Sequence, residues 1–277
     1  MNGSNLQPRG PRVLAIANQK GGVGKTTTAI NLGTALAAVG ERTLLIDMDP
    51  QGNASTGLGI PTPERLITTY DVLSLRASLA QAAMPTPVPN LLVVPSNNHL
   101  VGLETEIQGE SNRNYRLRDA IAALAAYQKA RPQEQPFNYV LIDCPPSLNV
   151  LTVNAMTAAN AVLVPVQCEF FALEGISQLR QTIEDIRGTL NPNLELHGVV
   201  LTMHDARTGL SNEVASEVRS FFGAKVYETQ IPRNVRIAEA PSHGKPILLY
   251  DHKSVGSQAY IRLASELIER ERRYKAA

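Results

Sequence analysis

A glycine-rich loop with two lysines is the segment of this 277-residue chain whose residue types best fit phosphate binding. Glycines lack a Cβ, so the main chain can wrap around a phosphate with its N–H groups pointing inward. A variant of Gly-x-x-x-x-Gly-Lys-Thr is present, in which Lys25 would reach the β- and γ-phosphates and Thr26 would bind Mg²⁺. We predict a nucleotide-phosphate site formed by Lys20, Gly21, Gly22, Val23, Gly24, Lys25, Thr26 and Thr27.

Three aspartates follow or end apolar segments, where a metal and a water could be held. Asp47 and Asp49 lie in IDMDPQGN, and Asp143 ends the run YVLID. Ligands of open α/β sheets bind outside the carboxyl ends of the strands. Carboxylates at i and i+2 can hold a metal-bound water and orient an attacking water, and Asp143 could bond to a water on Mg²⁺. An aspartate-rich turn before Pro50 is the simpler alternative for the first pair.

Short apolar runs alternate with amphipathic stretches along the chain, which predicts alternating strands and helices. The predicted strands are Arg12–Ala17, Arg42–Ile46, Leu91–Val94, Asn138–Ile142, Ala161–Val164, Leu196–Leu201 and Lys225–Tyr227. The predicted helices are Thr27–Val39, Thr69–Ala82, Arg113–Ala130, Asn149–Ala158, Leu173–Leu190, Ser211–Phe222 and Ser257–Arg273. This order predicts an α/β fold, a doubly wound and mostly parallel sheet with helices on both faces. The glycine loop falls between a strand and a helix, which disfavours an incidental glycine-rich turn.

Composition sets limits on the domain organisation and the location of the protein. Residues 1–11 are polar and rich in Pro and Gly, which predicts a disordered arm before a single domain over 12–277. A net charge of +1 argues against an overall polyanion binder, although the chain from His197 onward is mildly basic. The two cysteines have neither metal-ligand nor disulfide spacing. No signal peptide and no run of about 20 apolar residues is present, so we expect a cytoplasmic protein.

The segment KGGVGKTT resembles the loop of the deviant Walker A ATPases, which include ParA/Soj, MinD and the nitrogenase iron protein. The resemblance implies that Lys20 reaches across an ATP-dependent homodimer to the partner's nucleotide, and that Gly22 stays small because the partner approaches closely. DPQGN is similar to the ParA switch region, which implies that Asp49 positions the hydrolytic water and Asp47 supports the Mg²⁺ shell. It also implies an ATPase that is slow alone and stimulated by a partner.

The last third of the chain resembles the ParA/Soj branch, in LTMHDARTGLSNEV and in IPRNVRIAEAPSHGKPILLYDHKSVGSQAY. The resemblance implies that Pro232 and Asn234 contact the nucleotide, with Met203 packing on the base. It further implies that Arg207 and Arg236 bind DNA. Arginines that are solvated or paired within the chain are the alternative. No aromatic-rich stretch suggests stacking of single strands, so we expect sequence-independent binding to duplex DNA that weakens with salt.

The resemblance to the ParA/Soj branch implies an ATPase that segregates a chromosome or plasmid with a ParB-like partner, in the cytoplasm and on the nucleoid. A MinD-like membrane ATPase would need an apolar face on its C-terminal helix, and this chain ends in IERERRYKAA. An iron protein would need cluster cysteines, a context that Cys144 and Cys168 lack. A non-hydrolysing DNA-binding regulator is disfavoured by the presence of Lys25, Asp49 and Asp143.

Overall fold

A computed structural model describes residues 10–169 and 172–276, so most of the predicted arm lies outside the described residues. Seven strands in these residues form one sheet: β1 (Arg12–Ile16), β2 (Thr43–Asp47), β3 (Met84–Pro85), β4 (Leu91–Val94), β5 (Tyr139–Asp143), β6 (Ala161–Gln167) and β7 (Glu195–Thr202). Their spatial order is β3-β4-β2-β5-β1-β6-β7. Only the pairing of β3 with β4 is antiparallel, so the predicted mostly parallel sheet is confirmed.

Helices cover both faces of this sheet, as expected of a doubly wound fold. The α-helices are α1 (Lys25–Ala38), α2 (Asn53–Gly57), α3 (Thr69–Leu73), α4 (Leu79–Ala82), α5 (Leu103–Glu106), α6 (Arg116–Lys129), α7 (Val150–Ala158), α8 (Ala172–Thr189), α9 (Gly209–Phe222), α10 (Val235–Glu239), α11 (Ile247–Tyr250) and α12 (Val255–Ala276). Short 3₁₀ turns lie at Thr62–Glu64, Asn98–Val101, Gly223–Lys225 and Ala240–His243. None of the described helices is both long and apolar enough to span a bilayer.

Alternate residues of the central strands point into two separate apolar cores. Val13 and Ala15 of β1 pack with α6, α7, α8 and α9, whereas Leu14 and Ile16 pack with α1 and α12. Each strand is buried on both sides, which explains why its sequence is continuously apolar. The two cores hold the carboxyl ends of β1, β2 and β5 side by side at one edge of the sheet, because these strands pair in parallel register.

Two predicted elements differ from the structure. The helix predicted over Thr69–Ala82 is two short helices, because Leu75 adopts a left-handed φ of 62° and Ser78 starts α4 with a capping box to Gln81. The strand predicted over Lys225–Tyr227 is a 3₁₀ turn followed by a single bridge from Val226 to β7. Both segments are short, so local caps and turns decide their conformation rather than apolar periodicity.

Candidate functional site

The glycine loop leaves β1 and enters α1, as the sequence predicts. Gly22 and Gly24 have φ values of 74° and 87°, a region that other residues enter only with strain. A Cβ built on Gly21 or Gly22 would meet nothing within 4 Å, so the loop lines open space. Gly24 precedes Lys25, the first residue of α1, and Thr26 and Thr27 follow in its first turn. The N–H groups and the dipole of a helix start are therefore directed at this space.

The side chain of Lys25 is buried within the loop and bonds to the main chain of the loop. Its Nζ donates to the carbonyl oxygen of Lys20 at 2.9 Å, and only 7% of the residue is exposed. Burial lowers the pKa of Lys25, and the negative charge of nearby Asp143 opposes that shift. A phosphate entering the loop would bring negative charge into direct contact with this buried ammonium group, whose hydrogen bond is to a neutral carbonyl oxygen.

Lys20 stands at the mouth of the loop and contacts a different group. Its Nζ lies 3.9 Å from Oε2 of Glu169, and its side chain is 35% exposed. Glu169 also faces Arg233, at 3.6 Å between Nη2 and Oε1. The ammonium group of Lys20 is therefore accessible to solvent. The main-chain carbonyl oxygen of Lys20 accepts the hydrogen bond from Lys25.

Asp47 is fully buried at the end of β2, and hydrogen bonds already occupy its carboxylate. Oδ2 accepts from the Ser55 amide at 2.8 Å and from the Ser55 hydroxyl at 2.6 Å, while Oδ1 accepts from the Asp49 amide at 3.2 Å. Burial raises its pKa to about 6. Asp47 thus orients the main chain of half-buried Asp49, whose own Oδ1 accepts from the Gln51 amide at 3.0 Å. Sequence analysis missed Ser55, since no motif marks it.

Asp143 pairs in register with Asp47 but has the opposite hydrogen-bonding state. Among the described residues, neither of its fully buried carboxylate oxygens accepts a hydrogen bond. Burial, and then the charge of Asp47, raise the pKa of Asp143 well above its usual range. The nearby Thr26 hydroxyl and Lys25 ammonium group oppose this rise only in part, so a bound cation would stabilise the buried carboxylate further. The donor set of Asp143 with the adjacent Thr26 hydroxyl therefore fits Mg²⁺, which prefers oxygen ligands.

The segments expected to contact the base lie next to the loop. The Thr202 hydroxyl at the end of β7 donates to the Val23 carbonyl oxygen at 2.8 Å. Met203 follows with a left-handed φ of 50°, and its Cε would lie 3.9 Å from a Cβ on Gly24. Main-chain bonds from His204 to Ile231 and from Arg233 to His204 place Pro232 opposite His204, the residue that follows Met203. The Asn234 side chain accepts from the Arg236 amide at 2.8 Å and caps α10.

Both arginines expected to bind DNA are exposed and paired within the chain. Arg207 makes a bidentate contact with Asp205, at 2.8 Å from Nε and 2.7 Å from Nη2. The hydrogen bonds from Arg207 lower the pKa of Asp205. Arg236 donates to Glu239 at 3.0 Å and lies 3.8 Å from Asp251. The alternative of intramolecular pairing therefore describes this conformation, although both side chains stay more than half exposed.

The parallel sheet, the loop between β1 and α1, and the aspartates at the strand ends define a P-loop nucleotide-binding protein. A family model described as an AAA domain matches residues 11–196. The chain is 64% identical over 261 residues to the chromosome partitioning protein ParA of Caulobacter vibrioides (strain NA1000 / CB15N), covering 94% of this chain and 95% of that protein. It is 49% identical over 256 residues to the sporulation initiation inhibitor protein Soj of Bacillus subtilis (strain 168), covering 92% and 98%. The chain belongs to the ParA/Soj family of chromosome-partitioning ATPases.

A solved structure has the same fold and carries ligands. Cobyrinic acid a,c-diamide synthase of Mycobacterium smegmatis, crystallised with an ATP analogue and magnesium, superposes with a TM-score of 0.81. The two chains are 36% identical, and the match covers 95% of this chain and 96% of that one. This likeness confirms the predicted P-loop fold, while the different name of that protein shows that the fold alone does not define the reaction.

Proposed function

We propose that this protein is an ATP-dependent homodimer that binds duplex DNA without sequence preference and moves a chromosome or plasmid bound by a ParB-like partner. The observation that carries the proposal is the position of Lys20. Its ammonium group stands at the mouth of the loop, partly exposed, while Lys25 alone is folded into the phosphate-binding space. A second lysine in this position is suited to the phosphates of a facing protomer.

ATP and Mg²⁺ are the expected cofactors, as in the magnesium-bound neighbour crystallised with an ATP analogue. The amides of residues 21–26 and the Lys25 ammonium would hold the phosphates. Asp143, through a water, and the Thr26 hydroxyl would hold Mg²⁺, which neutralises charge on the phosphates. The three hydrogen bonds of Asp47 favour an indirect role for it, holding the Asp49 amide so that the Asp49 carboxylate can orient the attacking water.

Lys20 has to leave Glu169 before it can act on a facing protomer. An ion pair at 3.9 Å between partly exposed groups contributes about 1 kcal/mol at most, so the exchange is inexpensive. A γ-phosphate offers more charge and several oxygen acceptors, which favours the transfer. Charge developing on the transferring phosphoryl group would then be stabilised by the partner's lysine. Hydrolysis is expected to be slow until the ParB-like partner favours this arrangement.

The DNA-binding surface is expected to be weak in one protomer and strong in two. DNA phosphates would have to replace Asp205 on Arg207 and Glu239 on Arg236. Exposed pairs of this kind are worth about 0–1 kcal/mol each, so phosphates can compete for both arginines. An ATP-closed dimer doubles the contacts and raises the affinity through effective concentration. Such binding would place the ATP-bound protein on the nucleoid and release it after hydrolysis.

The membrane alternative is disfavoured by the packing of α12. Five apolar residues of α12 are buried in the core that the helix forms with the sheet and α1, namely Ala259, Tyr260, Leu263, Ala264 and Leu267. A helix that binds a bilayer surface needs an apolar face open to the lipid. Flotation of the ATP-bound protein with anionic lipid vesicles should leave the protein in the unbound fraction.

Binding of Arg236→Glu to a long non-specific duplex tests the DNA-binding proposal, with a slowly hydrolysed ATP analogue present. We expect at least a tenfold loss of affinity, because a charge reversal repels phosphate. Arg131→Glu is the matched control, because Arg131 also pairs with a glutamate three residues further on and is similarly exposed. Arg131 precedes β5 and therefore lies at the opposite end of the strands from the phosphate loop. Equal, salt-sensitive binding by both variants would contradict the proposed DNA-binding surface.

Lys20→Ala tests the proposed dimer. In the presence of ATP, this variant should elute as a monomer in size-exclusion chromatography.

A further inference from the structure

The loop that carries Asp49 rests on a buried polar side chain from another strand end. Ser96 follows β4, and none of its surface is exposed. Its hydroxyl donates to the carbonyl oxygen of Asp49 at 2.5 Å, and its amide donates to the Ser55 hydroxyl at 3.0 Å. Ser55 in turn donates to Asp47. One serine therefore contacts both the residue expected to orient the water and, through Ser55, the buried aspartate beside it.

Arg65 holds Ser96 from the opposite side. It is 8% exposed, and its Nη1 donates to the Ser96 carbonyl oxygen at 3.1 Å. The remaining guanidinium contacts reach the Thr56 hydroxyl at 2.7 Å and the Ile60 carbonyl oxygen at 2.8 and 3.1 Å. All of these acceptors are neutral. Burying a guanidinium against neutral acceptors is costly compared with an apolar residue, so Arg65 is a poor choice for stability alone.

The turn after Asp49 lies directly against this pair. Gly52 donates its amide to the Asp49 carbonyl oxygen at 2.9 Å and adopts a left-handed φ of 63°. A Cβ on Gly52 would overlap Nη1 of Arg65 and lie 3.2 Å from the Ser96 carbonyl oxygen. No side chain fits between the turn and its support, so movement of Arg65 or Ser96 would be transmitted to the main chain of Asp49.

We propose that Ser96 and Arg65 are positioning residues for ATP hydrolysis, fixing the main chain of Asp49 so that its carboxylate faces the attacking water. The proposal rests on the water-orienting role given to Asp49 above. A buried network of several linked hydrogen bonds is rigid, and small displacements of a reacting group reduce rates strongly. Neither residue touches the phosphate loop, so nucleotide binding should be independent of both.

Steady-state hydrolysis by Ser96→Ala tests this inference. We expect kcat to fall about tenfold and the affinity for ATP to stay within twofold, because only the support of Asp49 is lost. Ser74→Ala is the matched control: it removes a hydroxyl-to-carbonyl bond of 2.8 Å at the end of α3, away from the Asp49 loop. Arg65→Met should lower kcat in the same way. Equal kcat values for Ser96→Ala and Ser74→Ala would overturn the inference.

A double variant separates positioning from general stability. In the Asp49→Ala background, measured in single turnover with excess protein, Ser96→Ala should cause no further loss, because its target is gone. If the rate losses of the two single variants multiply in the double variant, Ser96 does not act through Asp49. That result would overturn this inference and leave the proposed function intact. Full activity of Asp49→Ala would overturn the role of Asp49 in the proposed function. Inactive Asp49→Ala with fully active Ser96→Ala would overturn only the positioning role of Ser96.

Discussion

Two adjacent aspartates with opposite hydrogen-bonding states are the central feature at the scale of single residues. Asp47 accepts three hydrogen bonds from Ser55 and Asp49, whereas Asp143 accepts none from the described residues. Both are fully buried, and burial raises the pKa of each. The hydrogen bonds of Asp47 indicate a structural role, whereas the carboxylate of Asp143 is suited to binding a cation. Without Mg²⁺, Asp143 should therefore reduce stability.

Asp143→Asn should raise the thermal unfolding midpoint of the nucleotide-free, Mg²⁺-free protein by about 3 °C at a pH where Asp143 is ionised, because burial disfavours the ionised carboxylate and the amide carries no charge. The same change should abolish Mg²⁺-dependent ATP hydrolysis. Calorimetry and phosphate release measure the two effects. Asp119→Asn, at an exposed position in α6, should change neither. A lower midpoint for Asp143→Asn would mean that the charge of Asp143 is compensated in the free protein.

At the scale of elements, the sequence could predict the strands, helices and loops whose conformation depends on residues close together in the chain. The strands β1, β2, β4 and β5 are continuous apolar runs, and the loop between β1 and α1 keeps all its phosphate-binding residues together. The support of Asp49 could not be predicted in this way. Ser96 lies 41 residues from Ser55, and their contact exists only because β4 pairs with β2. No spacing rule relates residues that meet across a sheet.

Strand β7 shows a further constraint that sequence reasoning did not find. A Cβ on Gly198 would lie 2.6 Å from the Lys225 carbonyl oxygen and 2.7 Å from Cε2 of Tyr227. The segment after α9 runs beside β7, bridged in parallel from Val226 to Val199, and approaches Gly198 too closely for a residue with a side chain. Tyr227 in this segment is fully buried.

Gly198→Ala should lower the free energy of unfolding by about 1–3 kcal/mol, because the added methyl group forces the Tyr227 segment to move. Denaturant unfolding measures this loss, and nucleotide affinity of the folded fraction should be unchanged. Gly188→Ala in α8 is the control, since a Cβ there meets nothing within 4 Å and alanine favours a helix. Similar stability of the two variants would show that the segment beside β7 moves without a loss of stability.

At the scale of the whole molecule, a buried polar cluster joins distant parts of the chain. Glu271 in α12 accepts from Arg12 of β1 at 2.8 Å and contacts Nε2 of His197 in β7 at 2.9 Å. The other ring nitrogen of His197 lies 2.7 Å from the Tyr227 hydroxyl. Burial raises the pKa of Glu271, but His197 and Arg12 outweigh it and leave that pKa lowered. The cluster lies where β1 and β7 begin, opposite the nucleotide loop.

Glu271→Ala should destabilise the protein by about 3 kcal/mol or more, because it leaves His197 and Arg12 without their acceptor. The exposed Glu269 of α12 is the control, and Glu269→Ala should stay within about 0.5 kcal/mol of the parent. Denaturant titration compares the two. Equal stability would mean that water satisfies the cluster when Glu271 is removed.

The cluster also has a consequence for synthesis on the ribosome. Arg12 and Glu271 are separated by 259 positions, so Arg12 of β1 obtains this acceptor only after α12 has emerged. A nascent or prematurely terminated chain that lacks Glu271 carries an unsatisfied arginine and histidine at the start of its sheet. We expect such a chain to open more easily and to be cut more readily by proteases than a chain that contains α12.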